Sequence, residues 1–464
     1  MLRKSDNHFS GNKVLFLVLA LFFFSNLALA LLQENVWWDA AVYAGMGKHI
    51  FSDGQSGLWE SSRPLVWPII LGFFWKLNLD MALFGKIMSL LFAAGTIIMT
   101  YLIAKEVFER KTAVLAAFLL AFTPTFFFFS KLMLTEIAST FFSLLGVYFF
   151  IRKNCFFSGI FFGLGFMARF LQLIPFAIVS IIFLIYNIKQ KNLVKNIMII
   201  GIGFLIPVAP YLALNYSLYG NAIQPFLDQA YLTNNSGWSH FKPWWFYPVF
   251  MIRENFMALF ALFGIYFLAK NKMHIGKTTV ISVALATLIL LSFIHHKEMR
   301  FLIMLMPFLF MLASHGLLES MRNLKDIRIP MQYFIVIFIV QATIVIAYME
   351  KAELGKGNPY LDFHSYLIKD AGALWISNPA YVLHYEGKVH NLMYYPVFDS
   401  GKISSAFSSL QEADTILVNT CDLECPPFDL GCPMKKEELL SMIKGNFEIE
   451  YFKEGNCGQY IFAK

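Results

Sequence analysis

The stretch NVWWDAAVYAGMGKHI (Asn35 to Ile50) sets a carboxylate, Asp39, directly after two tryptophans that end a long apolar run. Other short stretches place charge beside apolar segments in the same way. GLWESSRPLVWP carries Glu60 and Arg63, KLMLTEIASTFF carries Thr135 and Glu136, and FIHHKEMRFLIMLMP carries Lys297 and Arg300. Arg169 stands among apolar residues in GFMARFLQ. Each has a plain structural reading. Asp39 and Thr135 are good N-caps, and Glu136 suits the positive end of a helix. Glu60 and Arg63 form a weak local ion pair, and interfacial Lys and Arg snorkel. As a set they suit one chemistry, in which a hydroxyl attacks a sugar carried on a lipid phosphate. A carboxylate takes the hydroxyl proton. The departing phosphate gains charge and needs cations, best supplied as guanidinium forks.

The elements that must hold these groups are membrane helices. The chain has 464 residues, is 58% hydrophobic and only 14% charged, and contains 51 phenylalanines, more apolar surface than a soluble core requires. The net charge of +7 does not point to nucleic acid. Residues 350–464 hold 10 Lys+Arg against 16 Asp+Glu, so the preceding 349 carry a net +13, mostly in short loops between apolar runs. That is the positive-inside pattern. Eleven crossings are expected, over 14–32, 81–104, 112–130, 135–151, 155–169, 172–187, 197–214, 251–269, 278–294, 301–318 and 330–349. Basic clusters at Arg3, Lys4 and Lys13, Lys105 to Lys111, Arg152 and Lys153, Lys189 to Lys195, Lys270 to Lys277 and Arg322 to Arg328 then share one side, read as cytoplasmic. Asp39 falls outside. The run from Phe156 to Tyr186 is read as two short helices meeting near Arg169. LVWPIILGFFWKL, from Leu65 to Leu77, is too short to span and is expected to lie in the outer interface. In the segment after Asp39, Val42, Met46 and Ile50 are expected to face lipid, with Lys48 and Asp53 turned to water. The first apolar run is read as an uncleaved helix rather than a cleaved signal.

From about residue 350 the character changes. Strand-like AYVLHYEG, ADTILVN, FEIEYF and GQYIFAK and helix-like KKEELLSMIKG imply a small extracytoplasmic α/β domain over 350–464, after a mainly α, polytopic domain over 1–349. Cys421, Cys425, Cys432 and Cys457 fit two disulfides better than a zinc ribbon, because the paired CxxC spacing is missing. Their pairing is not legible.

At these residues the sequence resembles the GT-C superfamily of polytopic glycosyltransferases, in particular the branch of protein O-mannosyltransferases and lipid A aminoarabinose transferases. Asp39 matches the acid of the first outer loop, although the family's Asp-Glu is Asp39-Ala40 here. SRPLVWP resembles its basic-Pro-Pro-Leu element with one proline fewer, and KEMRFLIMLMP resembles its late basic-x-x-Arg-Tyr-Leu element with Phe301 for Tyr. The resemblance implies an inverting transfer from a polyprenyl-phosphate sugar to a protein, lipid or glycan hydroxyl. Asp39 would be the base and Glu136 would orient the acceptor or a cation. Arg63, Arg169, Arg300 and Lys297 would bind the lipid phosphate. Glu60, Tyr43, Trp244 and Trp245 would contact sugar or acceptor, with Trp238 and His240 nearby. Some members hold a divalent metal and others do not, so a metal is left open. The competing reading is a transporter or flippase of a lipid-linked substrate, which would usually show matched repeats and midplane charges; neither is visible.

Overall fold

The structure, a computed structural model, describes residues 6–235, 240–323, 330–356, 371–393, 410–425, 427–455 and 457–464. Trp238 and the basic residues Arg3, Lys4, Lys325 and Arg328 lie outside the described residues. All eleven apolar stretches are helical. Among the described residues six helical segments are long and apolar enough to cross a membrane: 12–32, 81–107, 170–187, 193–219, 275–293 and 331–354. The other five stretches are shorter or broken.

In chain order, α1 (Asp6–Leu32) leads to α2 (Trp38–Phe51) and α3 (Val66–Lys76), then α4 (Met81–Val107). Helix α5 (Arg110–Phe122) is broken from α6 (Pro124–Phe129) at Thr123, where Pro124 cannot continue the ladder. Helix α7 (Thr135–Ile151) precedes the short pair α8 (Cys155–Ala168) and α9 (Leu173–Asn187), which meet at Arg169 as expected. There follow α10 (Leu193–Tyr219), α11 (Gln224–Asn235), α12 (Phe246–Glu254), α13 (Phe260–Ala269), α14 (Ile275–Phe293), α15 (Met306–Asn323) and α16 (Met331–Leu354). Arg110 bonds Asn12, Arg152 pairs with Glu106 and Arg322 with Glu109 and Glu319, so these basic clusters gather at one end of the bundle. The acidic residues of interest lie at the other.

Helices α2 and α3 form the layer that carries Asp39. They touch backbone to backbone: a Cβ added at Gly47 would sit 2.6 Å from the amide nitrogen of Gly72. No larger residue allows that approach.

The tail folds into a five-stranded mixed sheet of order β2-β1-β3-β5-β4, with β1 Leu374–Ile376, β2 Val389–Leu392, β3 Thr415–Asn419, β4 Glu448–Lys453 and β5 Gln459–Ala463. One face packs on the helix Cys432–Asn446 through Trp375, Ile416, Val418, Phe462, Leu439 and Ile443. Leu374, Ile376, Leu417 and Ile461 on the other face join Val42, Met46, Leu58 and Leu65 in one buried cluster. Cys421 is bonded to Cys457 and Cys425 to Cys432.

Three expectations are corrected here. AYVLHYEG is no strand: Asn378 caps a 3-10 turn over Pro379–Leu383, accepting from the Ala380 amide at 3.0 Å. That turn buries Tyr381 and Val382 against α2, so the stripe of Val42 and Met46 faces protein rather than lipid. Lys48 is likewise not turned to water. It is 1% exposed, and its ammonium meets Glu386 at 2.8 Å and the Tyr385 carbonyl at 3.1 Å. A backbone bridge completes the joint, with Gly57 donating to Gly387 at 3.0 Å and accepting from Val389 at 2.8 Å. Hydropathy period reports that a face is apolar but not what covers it.

Candidate active site

The chain enters α2 through Trp37, whose indole N–H donates to Glu353 at 2.8 Å and whose ring meets Phe129 at 5.4 Å. Gln33, Asn35 and Trp37 all donate to Glu353, so the carboxylate at the end of α16 fixes the approach. Trp37 is the N-cap, so Asp39 is not a cap. Both its oxygens go instead to arginines: Oδ1 to Arg63 Nη2 at 2.9 Å and Oδ2 to Arg300 Nη1 at 2.6 Å.

Around this bridge an ion-pair cluster assembles from five separate parts of the sequence. Arg63 reaches Glu60 through Nε at 3.3 Å and lies over the Tyr43 ring at 5.5 Å. Arg169 meets Glu136 at 2.9 Å and the Thr135 hydroxyl at 3.2 Å, with Phe301 beneath it at 4.8 Å. Thr135 therefore does not cap α7; Leu134 holds that position, and the threonine accepts from Arg169 instead. Arg300 grips Glu298 with two bonds, at 2.7 and 2.8 Å, and also reaches Glu136 at 3.3 Å. The loop before Glu136 turns through Met133 with φ +56°, a strained value for a side chain. The buried Trp67 indole holds that turn, donating to the Met133 carbonyl at 2.7 Å. Lys131, 0% exposed, anchors the loop to Glu350 at 2.5 Å.

The electrostatics follow from this pairing. Burial alone would push the Asp39 carboxyl up, but the guanidinium groups of Arg63 and Arg300 outweigh it and hold the group well below the usual carboxylate range. Burial also raises Glu298, and Arg300 and His296 bring it down to about 2.

Asp39, Tyr43, Glu60, Arg63, Glu136, Arg169 and Arg300 are thus brought together. Lys297 is not. Its buried ammonium is used on the carbonyls of Lys242, at 2.9 Å, and Ile294, which ties the preceding loop down. Trp244 and Trp245 are 64% and 51% exposed, rest against each other at 5.7 Å and make no bond or ring contact to the cluster among the described residues. The sequence reading missed Glu298, whose carboxylate accepts two bonds from Arg300. Its signal was an acid two residues before Arg300 inside the basic HHKEMR. Among the described residues no three of His, Cys, Asp and Glu converge as a metal-ligand set. Each carboxylate of the cluster faces an arginine instead.

The fold of this helical bundle with its small mixed sheet is matched in known proteins. The family model for Alg9-like mannosyltransferases covers residues 12–364. The chain belongs to the Alg9-like mannosyltransferase family. It is therefore a GT-C glycosyltransferase of the membrane. Its fold is that of ArnT from Cupriavidus metallidurans, solved bound to undecaprenyl phosphate, with a TM-score of 0.68 at 11% identity over 97% of each chain. The archaeal oligosaccharyltransferase AglB from Archaeoglobus fulgidus, in complex with an inhibitory peptide and a dolichol-phosphate, superposes with a TM-score of 0.59 at 11% identity. That match covers 90% of this chain and 70% of AglB. Among curated proteins no sequence matches this chain.

Proposed function

We propose that this Alg9-like glycosyltransferase moves a hexose from a polyprenyl-phosphate donor to an acceptor hydroxyl of a protein, lipid or glycan, with inversion. The observation that carries the reading is the Asp39 carboxylate shared between Arg63 and Arg300 at 2.9 and 2.6 Å. Arg63, Arg169 and Arg300 bind the donor phosphate and stabilise the charge it gains as the sugar leaves. Asp39 takes the acceptor proton and Glu136 orients the acceptor. Tyr43 and Glu60 contact sugar or acceptor, a reading supported by their lying against Arg63. The undecaprenyl and dolichol phosphates held by the structural neighbours support a lipid-borne donor.

The geometry adds a condition. An anion held tightly by two guanidinium groups is always ionised but is a weak base. A donor phosphate that draws Arg63 and Arg300 toward itself weakens their hold on Asp39 and raises its basicity at the moment it is needed. The end of the bundle bearing Arg110, Arg152 and Arg322 faces the cytoplasm by the positive-inside rule. The cluster and the tail domain of residues 350–464 then lie outside, and the domain of residues 1–349 holds the crossings. The test is the release of polyprenyl phosphate by purified protein in nanodiscs given a polyprenyl-phosphate hexose and candidate acceptors. Transport of the intact donor across the bilayer without release of polyprenyl phosphate would refute the reading.

A further inference from the structure

Between α7 and the break joining α8 to α9 the bundle buries a run of polar side chains that the chemistry above does not use. Gln172 is 1% exposed, and both ends of its amide are satisfied. Its oxygen accepts from the Ser143 hydroxyl at 2.8 Å. Its nitrogen donates to Ser139 at 3.0 Å and to Thr140 at 3.4 Å. Ser139 in turn donates to the Glu136 carbonyl at 3.0 Å. On the other side, Gln172 closes the single 3-10 turn Phe170–Gln172 by donating its backbone N–H to the Arg169 carbonyl at 3.0 Å. Arg169, extended at φ −159°, reaches back to Glu136 at 2.9 Å. The contacts form a closed ring: Glu136 main chain, Ser139, Gln172, Arg169, Glu136 carboxylate.

A buried amide among apolar helices is costly unless every polar atom is bonded. Here the bonds define a distance. They fix the helix break against α7, and so fix where the Arg169 guanidinium sits relative to Glu136. Snorkelling does not account for this, because the amide is sealed inside the bundle rather than reaching water. Interior packing does not require it either, since a leucine of similar volume would fill the space.

We infer that Gln172 is a positioning residue for Arg169, holding its guanidinium where the donor phosphate binds. This rests on the donor site proposed above. The test titrates short-chain polyprenyl phosphate against the full-length protein in nanodiscs, with acceptor KM measured alongside. Gln172→Leu is expected to weaken phosphate affinity about tenfold, the scale of one or two buried hydrogen bonds, while acceptor KM moves less, because Glu136 keeps Arg300. Ser143→Ala removes one bond of the ring and is expected to act in the same direction, less strongly, should Gln172→Leu fail to fold. In an Arg169→Ala background neither change should weaken phosphate binding further, because the effect passes through Arg169. Additive losses in the double variants, or unchanged affinity in both single variants, overturn the inference while Arg169→Ala alone still weakens binding. Unchanged affinity in Arg169→Ala would instead remove the donor-site reading, and this inference with it.

Discussion

Replacing Asp39 by asparagine separates its possible roles because the structure assigns each a different magnitude. The wild-type carboxylate accepts two charge-assisted bonds, from Arg63 at 2.9 Å and Arg300 at 2.6 Å. Asparagine keeps one acceptor oxygen, so about one such bond is lost, costing about 2 kcal/mol of stability. Neither arginine is orphaned. Arg63 keeps Glu60 at 3.3 Å, and Arg300 keeps both bonds to Glu298, at 2.7 and 2.8 Å. The protein should therefore fold. Donor phosphate should bind as tightly or more tightly, since one anion fewer competes for the guanidinium groups. Turnover should fall by about 10²–10⁴, or about 3–5 kcal/mol of barrier, because the amide cannot take the proton. The assay measures polyprenyl-phosphate release and phosphate affinity on one nanodisc preparation, with thermal unfolding as the folding check. A folded Asp39→Asn protein turning over at the wild-type rate would end the assignment of Asp39 as base and leave Glu136, beside Arg169, as the next candidate.

Arg63→Ala should weaken polyprenyl-phosphate affinity and turnover together, since a phosphate partner is lost in the ground state as well; unchanged affinity by titration would contradict that role. Glu386→Gln should cost only about 1 kcal/mol, because the glutamate is mostly exposed and Lys48 keeps the Tyr385 carbonyl. Lys48→Glu should cost about 3–5 kcal/mol by thermal unfolding, since it buries a second anion against Glu386 and those carbonyls. Glu298 has a folded value of about 2 against an ordinary 4.5, so its contribution to stability is full above that ordinary value and is lost as pH falls toward the folded one. Thermal midpoints of wild type and Glu298→Gln should accordingly differ near neutral pH and converge in acid; a constant gap would show that the carboxylate is not held by Arg300.

The apolar stretches were legible because a bilayer core imposes a length and leaves backbone groups no partner but each other. Any helix that crosses must announce itself as a long apolar run, and all eleven stretches are helical. The charges at their ends were legible for a related reason: an ionised group there is expensive, so its presence asks for a partner. Asp39, Glu136, Arg63, Arg169 and Arg300 were found that way. The pairing itself was not. Arg300 meets Asp39 across 261 positions, and Glu298 joins them from a loop that reads as basic. Nothing local in the chain distinguishes a lysine bound for a carbonyl, as Lys297 is, from an arginine bound for a carboxylate, as Arg300 is. The covering of α2 was also decided only in three dimensions. Its apolar stripe reads as lipid-facing, since periodicity records aversion to water without naming the surface that replaces it. Here that surface is the turn Pro379–Leu383 and one face of the sheet, drawn against the helix from more than 300 residues away by apolar burial and the Lys48–Glu386 pair.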